Sequence, residues 1–288
     1  MATKKTQEKA KKRKSGGDRK PTLAARADKF VCYQKSVQTP EHEVDFFGQA
    51  YREAYRGKPY SLREDFCGTF AVCCRWVASH RRRTALAVDL CAETLQWGRD
   101  HNLDKLTTKQ QARVRVVRQD VRKRNRPRVD VLAAQNFSFW IFKTRREVVD
   151  YFKIAHANLK SKGIMVMDMM GGGECYEEEL VDKRTIVKGK KGFQYHWKQE
   201  SFNPVTADAR FSISFKFKDG SKLKRAFEYD WRFWTIPEVR EMLAEAGFRA
   251  SHVYWETEDD DGEDTGEWQR GEDAPSNPSW ICYIVAIK

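Results

Sequence analysis

The 288-residue chain is 40% hydrophobic and 12% aromatic, enough for one sizeable folded domain with tails and an insertion, and this excludes a wholly disordered protein. Its 54 Lys and Arg stand against 41 Asp and Glu, a formal charge of +13, and no apolar run approaches the roughly 20 residues that a bilayer span needs. The charged N-terminus has no apolar stretch behind it, so no secretory signal is expected and the expected location is cytoplasmic.

Residues 1–28 read as a disordered basic tail, because the first 20 hold nine Lys and Arg against Glu8 and Asp18 with almost nothing apolar. Residues 29–57 read as a helical cover: Thr39, Pro40 and Glu41 form a start signal, and Phe46, Phe47, Ala50, Tyr51 and Ala54 follow at helical spacing. From 58 to 170 short apolar runs alternate with amphipathic stretches, the pattern of successive βα units, which makes the core α/β. Strands are expected at 60–66, 84–90, 114–118, 129–135 and 164–169, with helices at 69–79, 92–102 and 144–159. The interval 122–128 is too short and too basic for a full helix.

After Gly171, Gly172 and Gly173 the period shortens to two, with Phe193, Tyr195 and Trp197 in one run and Phe211, Ile213, Phe215 and Phe217 in the next; Asp219-Gly220 then marks a tight turn into 223–231. Residues 171–234 are therefore expected to form an antiparallel insertion of about three strands. In the remainder, 235–288, a helix runs from Pro237 through Val239, Met242, Leu243 and Ala246 to Gly247, and strands 248–255 and 280–287 flank an acidic loop at 256–278. Within 256–273 ten acids face Arg270 alone, which leaves the rest of the chain outside this loop and the tail at +15. Such a body attracts anionic partners, and nucleic acid contact through the tail and the 113–128 region is one expectation it raises.

Ligands of an open α/β sheet bind beyond the carboxyl ends of the strands, with the first βα turn facing a phosphate or nucleoside. That turn is the string Leu62-Arg63-Glu64-Asp65-Phe66-Cys67-Gly68-Thr69-Phe70. Asp89 ends the next strand 21 residues after Gly68, placed to bond ribose hydroxyls. Asp120 ends the third strand, where a carboxylate accepts from an exocyclic amine, and Asn136, Phe137 and Ser138 follow the fourth. Plainer roles are open to several of these: Glu64 as a helix cap, Asp120 as a partner of the surrounding arginines, Cys67 as a packing residue. Seven cysteines, odd in number and without Cys-x-x-Cys spacing, fit neither a disulfide framework nor a zinc site, and the six histidines are scattered, so no metal is expected.

This set of strand ends resembles the class I S-adenosylmethionine-dependent methyltransferases, from about Val31 to the end of the chain. The resemblance implies a Rossmann-like, seven-stranded, mostly parallel sheet with helices on both faces and the antiparallel insertion between the fifth strand and the last helix. It also implies S-adenosylmethionine as cofactor. In that family the first loop reads Asp/Glu-x-Gly-x-Gly-x-Gly; Glu64 matches the acid at the methionine part and Gly68 the central glycine. Phe66 and Phe70 take the other two glycine positions, where side chains are expected to narrow or shift the pocket. By the same resemblance Phe66, Cys67, Gly68 and Thr69 form the cofactor loop, Asp89 with Leu90 the ribose site, and Asp120 with Val121 the adenine site. Asn136 and Phe137 then face the methyl group, and Tyr33 and Gln38 cover the cofactor. Around the mouth, Asn136, Ser138, Tyr229 and Asp230 are candidate catalytic residues and Arg232 and Trp234 candidate substrate contacts. The aromatic pair Trp231 and Trp234 suits a cationic cofactor or a flat substrate.

The first reading is therefore an S-adenosylmethionine-dependent methyltransferase acting on an unidentified acceptor, small molecule or macromolecule, with no membrane partner. The second is a catalytically silent Rossmann-like nucleic-acid-binding protein, motivated by Phe66, Phe70 and the basic tail. A nicotinamide-dependent oxidoreductase is third, against which stands the missing Gly-x-Gly-x-x-Gly after the first strand.

Overall fold

The computed structural model describes residues 20–186, 189, 192–259 and 264–288. Three helices open the described chain: α1 (Leu23–Arg26), α2 (Lys29–Val37) and α3 (Pro40–Tyr55). The core then runs β1 (Ser61–Asp65), α4 (Ala71–Ser79), β2 (Thr84–Asp89), α5 (Ala92–Gly98), α6 (Thr108–Gln111), β3 (Val114–Arg118), β4 (Val129–Ala134), α7 (Arg145–Asn158) and β5 (Leu159–Gly171). An antiparallel unit follows, β6 (Val181–Thr185), β7 (Phe193–Phe202), β8 (Asp208–Phe217) and β9 (Lys222–Arg232), and the chain closes with α8 (Ile236–Glu245), β10 (Ala250–Glu258), β11 (Asp264–Arg270) and β12 (Trp280–Ile287).

The main sheet has the order β11-β10-β12-β5-β4-β1-β2-β3. Strands β1 to β5 are mutually parallel, while β12 pairs antiparallel with both β5 and β10. Helices cover both faces because the strands alternate apolar side chains to each. Val131, Ala133, Ile164 and Val166 point to one side, where α3, α4 and α5 supply Phe47, Trp76 and Leu95. Leu132, Ala134, Met165 and Met167 point to the other, where α7 and α8 supply Phe152 and Leu243.

Four expectations are corrected. The sheet has eight strands rather than seven, because part of the 256–278 segment pairs with β10 as β11, bringing Trp268 against Phe46 and Tyr283. Its neighbours Thr265, Glu267 and Gln269 stay exposed, the charged and polar face that keeps an edge strand from pairing further. The insertion has four strands rather than about three, in the order β6-β7-β8-β9. The cover is more than the one helix expected after Thr39: α2, capped by Asp28 through the N–H groups of Phe30 and Val31, precedes α3. Finally, the basic tail does not extend to residue 28. In α1, capped by Thr22, the Leu23 and Ala24 N–H groups bond Asp219 and Ser221 in the β8–β9 turn at 2.7 and 3.0 Å. Residues 1–19 lie outside the described residues.

Helix α2 ties the antiparallel unit to the core. Cys32, Tyr33 and Val37 pack on Phe193, Tyr195, Ile213 and Phe215 of β7 and β8. From the same helix region Gln34 bonds the Thr69 hydroxyl at 2.8 Å, Asp28 accepts from the Trp97 indole at 2.6 Å, and Lys29 pairs with Glu93 at 3.1 Å.

Between β3 and β4 no helix forms across 119–128, as expected. The buried Arg63 holds this segment instead: its guanidinium pairs with Asp65 at 2.6 Å and donates to the Val121 carbonyl and the Asn125 side chain at 2.8 and 2.7 Å. Tyr151 completes the network by donating to Asp65.

Candidate functional site

Phe66, Gly68 and Phe70 all adopt left-handed backbone, with φ of 56°, 53° and 46°. For the two phenylalanines that geometry is strained by about 1–2 kcal/mol each. Neither ring closes the loop, which corrects the expected narrowing. Phe70 is wholly buried beneath α5, so close that a Cβ on Gly98 would fall 2.4 Å from its ring. Phe66 turns toward Phe142 and Tyr151, with ring centroids at 6.0 and 5.8 Å.

The end of β2 is joined to this loop through Asp89, whose two oxygens accept from the Gly68 and Cys91 N–H groups, each at 2.8 Å. Leu90 beside it is 61% exposed, a large apolar side chain lying open at the rim. Glu64 is buried and accepts from the Cys73 N–H at 3.1 Å. Burial, with Asp89 and Asp65 adding to it, pushes its carboxyl up to about 7. Cys67 and Thr69 are buried inside the turn, the thiol pushed well up by burial, and the Thr69 carbonyl accepts from Asn102. Asp120 is held by Arg122, which donates both from its backbone N–H at 2.8 Å and from its guanidinium, and this pairing lowers the carboxyl. Val121 is buried, its carbonyl accepting from Arg63.

After β4, Asn136 and Phe137 are again left-handed, at φ 57° and 54°. Asp168 of β5 holds both: one oxygen accepts from the Asn136 N–H and the other from the Phe137 N–H, each at 2.8 Å. Burial pushes the Asp168 carboxyl up to about 6 despite those two bonds.

A cavity of about 800 Å³ lies beyond the ends of β4 and β5, beneath the antiparallel sheet and against the α2–α3 connection. It brings together Tyr33, Gln38, Asn136, Phe137, Tyr229 and Trp231 from the residues singled out in the sequence. The lining residues that were missed include Glu43 of α3, Asp168, the cations Lys35 and Arg184, and the aromatic walls Tyr195, Trp197 and Tyr283. For the two acids a signal was present: Glu43 sits three and four residues before Phe46 and Phe47, on a stripe that should be apolar, and Asp168 interrupts the run Met165 to Met170.

Other candidates are placed elsewhere. Along β9 Tyr229 and Trp231 line the cavity, so Asp230 and Arg232 leave by the opposite face. Asp230 pairs with Lys143, and Arg232 donates to the Lys143 carbonyl while stacking on Trp234 at 4.0 Å. The Trp234 indole bonds the Phe142 carbonyl, and the Ser138 hydroxyl is spent on the Gln135 carbonyl at 2.7 Å. In the 113–128 region Arg113, Arg115 and Arg118 donate to carbonyls of Arg83, Arg126 and Leu90 rather than standing free along a track. Among the described residues no helix is long and apolar enough to cross a membrane, and no three His, Cys, Asp or Glu side chains form a metal-holding group.

No protein-family model matches the chain, and no curated protein sequence does. Among solved structures it is similar to an S-adenosylmethionine-dependent methyltransferase from Clostridium acetobutylicum, with TM-score 0.64 and 14% identity over 90% of this chain and 96% of that one. It is also similar to CalS10, an amino pentose methyltransferase from Micromonospora echinaspora, with TM-score 0.64 and 16% identity over 90% and 95% of the two chains. The sugar N-methyltransferase KedS8 from Streptoalloteichus gives TM-score 0.60 and 15% identity over 98% and 99%. At such identities the likeness is one of fold: the chain has the class I methyltransferase architecture, extended by β11 and carrying the antiparallel sheet.

Proposed function

We propose that the protein is an S-adenosylmethionine-dependent methyltransferase acting on a small-molecule acceptor in the cavity beneath the antiparallel sheet. The observation that carries the reading is the first loop. It keeps left-handed backbone at all three positions 66, 68 and 70 although two are phenylalanine, and both rings point into the core. A fold that needed only a connection between β1 and α4 would gain by relaxing that strain.

The residues fit the cofactor. Gly68 at φ 53° has open space on its Cβ side, with only the Thr94 methyl at 3.7 Å. Leu90 offers an uncovered apolar surface at the rim, Asp89 retains lone pairs for a ribose, and the buried Gln38 Oε1 has no partner. On this reading Glu64 and the Gly68 turn hold the methionine half, Asp89 and Leu90 the ribose, Asp120 and Val121 the adenine, and Tyr33 and Gln38 close the site from above. When bound, S-adenosylmethionine supplies an electrophilic methyl carbon, to which the acceptor's lone pair bonds as the carbon–sulfur pair leaves with sulfur. The chain's own work is placement: the Asp168-held turn fixes Asn136 and Phe137 at the cavity floor, and residues 171–234 act as a lid that excludes water.

The cavity volume lies within the range of small-molecule sites, and two neighbours whose names state an acceptor act on sugars. The nucleic-acid reading loses the motive that Phe66 and Phe70 gave it, since both leave the loop open; its other motive, the basic tail, lies largely outside the described residues. Replacement Asp89→Ala tests the proposal: it should weaken S-adenosylhomocysteine binding by at least about tenfold, the worth of one or two hydrogen bonds to a charged group. Unchanged affinity would overturn it.

A further inference from the structure

Glu43 has no evident role in the fold. It is 7% exposed, it lines the cavity, and its Oε2 has no hydrogen-bond partner. Two other buried carboxylates, Glu64 and Asp168, act on it electrostatically, with Glu41 adding to them, and the phenols of Tyr33 and Tyr283 feel its charge. None of Glu43, Glu64 and Asp168 forms an ion pair among the described residues, although Asp168 has two backbone donors and Glu64 has one. Burying a carboxylate without a bond or a counter-charge is costly. The cavity opens onto Glu43, and its aromatic lining includes Trp197, Tyr229 and Trp231. Of the cations that share the lining, Arg184 is engaged by Asp182 at 3.2 Å and by the Tyr195 ring, and neither it nor Lys35 pairs with Glu43, so a ligand's charge has a place to come in. Aromatic faces favour a cation as well.

We propose that Glu43 recognises the methyl acceptor, that the acceptor is a primary or secondary amine arriving as its ammonium, and that Glu43 takes the ammonium proton before transfer. This rests on the methyltransferase reading above. Position selects Glu43 for the role: it lines one cavity with Asn136, Phe137 and Asp168, which holds their turn, and it feels the charge of Glu64 at the first loop. In the proton step an N–H bond breaks and an O–H bond forms on Glu43, and the electron pair stays on nitrogen as the nucleophile. Burial and the neighbouring carboxylates push the Glu43 carboxyl up to about 8, which makes it a stronger base toward an ammonium than an exposed carboxylate. An alcohol would bond the same oxygen but bring no charge to neutralise the three acids.

The test compares two cofactor analogues by calorimetry, S-adenosylhomocysteine and sinefungin. Sinefungin carries an amine-bearing carbon where the methylated sulfur stands, so its ammonium probes the point of transfer. Wild type should bind sinefungin at least about tenfold more tightly than S-adenosylhomocysteine, as expected for one charged hydrogen bond. Glu43→Gln should bring that ratio near one with S-adenosylhomocysteine affinity unchanged, and Glu43→Asp, which keeps the charge, should retain part of the preference. The proposal is overturned if wild type shows no preference, a result needing no variant, or if the ratio survives in Glu43→Gln. It is equally overturned if Glu43→Gln weakens both analogues alike, which would assign the carboxylate to the cofactor's own ammonium. Failure of both analogues to bind wild type would instead sink the methyltransferase reading.

Discussion

Replacing Glu43 by Gln should make the ligand-free protein more stable at neutral and alkaline pH, by an amount that grows as the pH rises. In the fold the Glu43 carboxyl is raised to about 8 by burial, Glu64 and Asp168, against about 4.3 in an unfolded chain. A raised carboxyl stabilises the fold fully below the unfolded value and loses that contribution as the pH climbs through the folded one. The slope is about 1.4 kcal/mol per pH unit while the two states differ by one proton. Between pH 6 and 8 this gives at most about 2–3 kcal/mol, and sharing the proton with Glu64 brings the expectation to about 2 kcal/mol. For a domain of this size that is about 4–8 °C in Tm. His156, His196 and His252, each lowered by burial, push the pH dependence the other way, but they are common to both proteins and cancel in the difference. Thermal unfolding of wild type and Glu43→Gln at pH 6, 7 and 8, at constant ionic strength, reads the effect. A Tm difference that stays constant over this range, or grows toward acid, would refute the assignment of Glu43 as a buried, unneutralised carboxylate.

The turn after β4 should depend on Asp168. In Asp168→Asn one of the Asn136 and Phe137 N–H groups meets a second donor in place of an acceptor, at a cost of about 2–4 kcal/mol, seen as a lower urea midpoint; a change below about 0.5 kcal/mol would show that the two left-handed residues hold themselves. Under the first loop, Asp65→Ala leaves the Arg63 guanidinium buried beside Tyr151 without its carboxylate. That should cost about 3–5 kcal/mol in the same assay, and near-neutral behaviour would mean that the carbonyls of 121–123 satisfy Arg63 alone.

The parallel core was legible because β2 and β4 are mostly apolar on both faces, with Asp89 ending the first and Gln135 and Asn136 directly following the second. β11 was not, since its inward face carries Trp268 while its other side chains resemble a solvated acidic loop. Side-chain reading also misjudged Phe66 and Phe70: what the first loop keeps is a backbone conformation, and the residue types hide it. For the site, acids at strand ends announced themselves, as Asp89 did. Asp168 lies inside an apolar run and Glu43 among the charged residues that open α3, one turn before Phe46 and Phe47, so neither announces a site until the structure shows both lining one cavity. Asp230 and Arg232 were misplaced for the opposite reason. They neighbour cavity residues in sequence, and the two-residue period of β9 sends them to the other face.

Calorimetric titration of the purified protein with S-adenosylmethionine, S-adenosylhomocysteine and NADH in parallel tests the central claim most directly. Micromolar binding of the first two and none of the third is the predicted result. Binding of NADH alone, or of none of the three, would contradict the methyltransferase account.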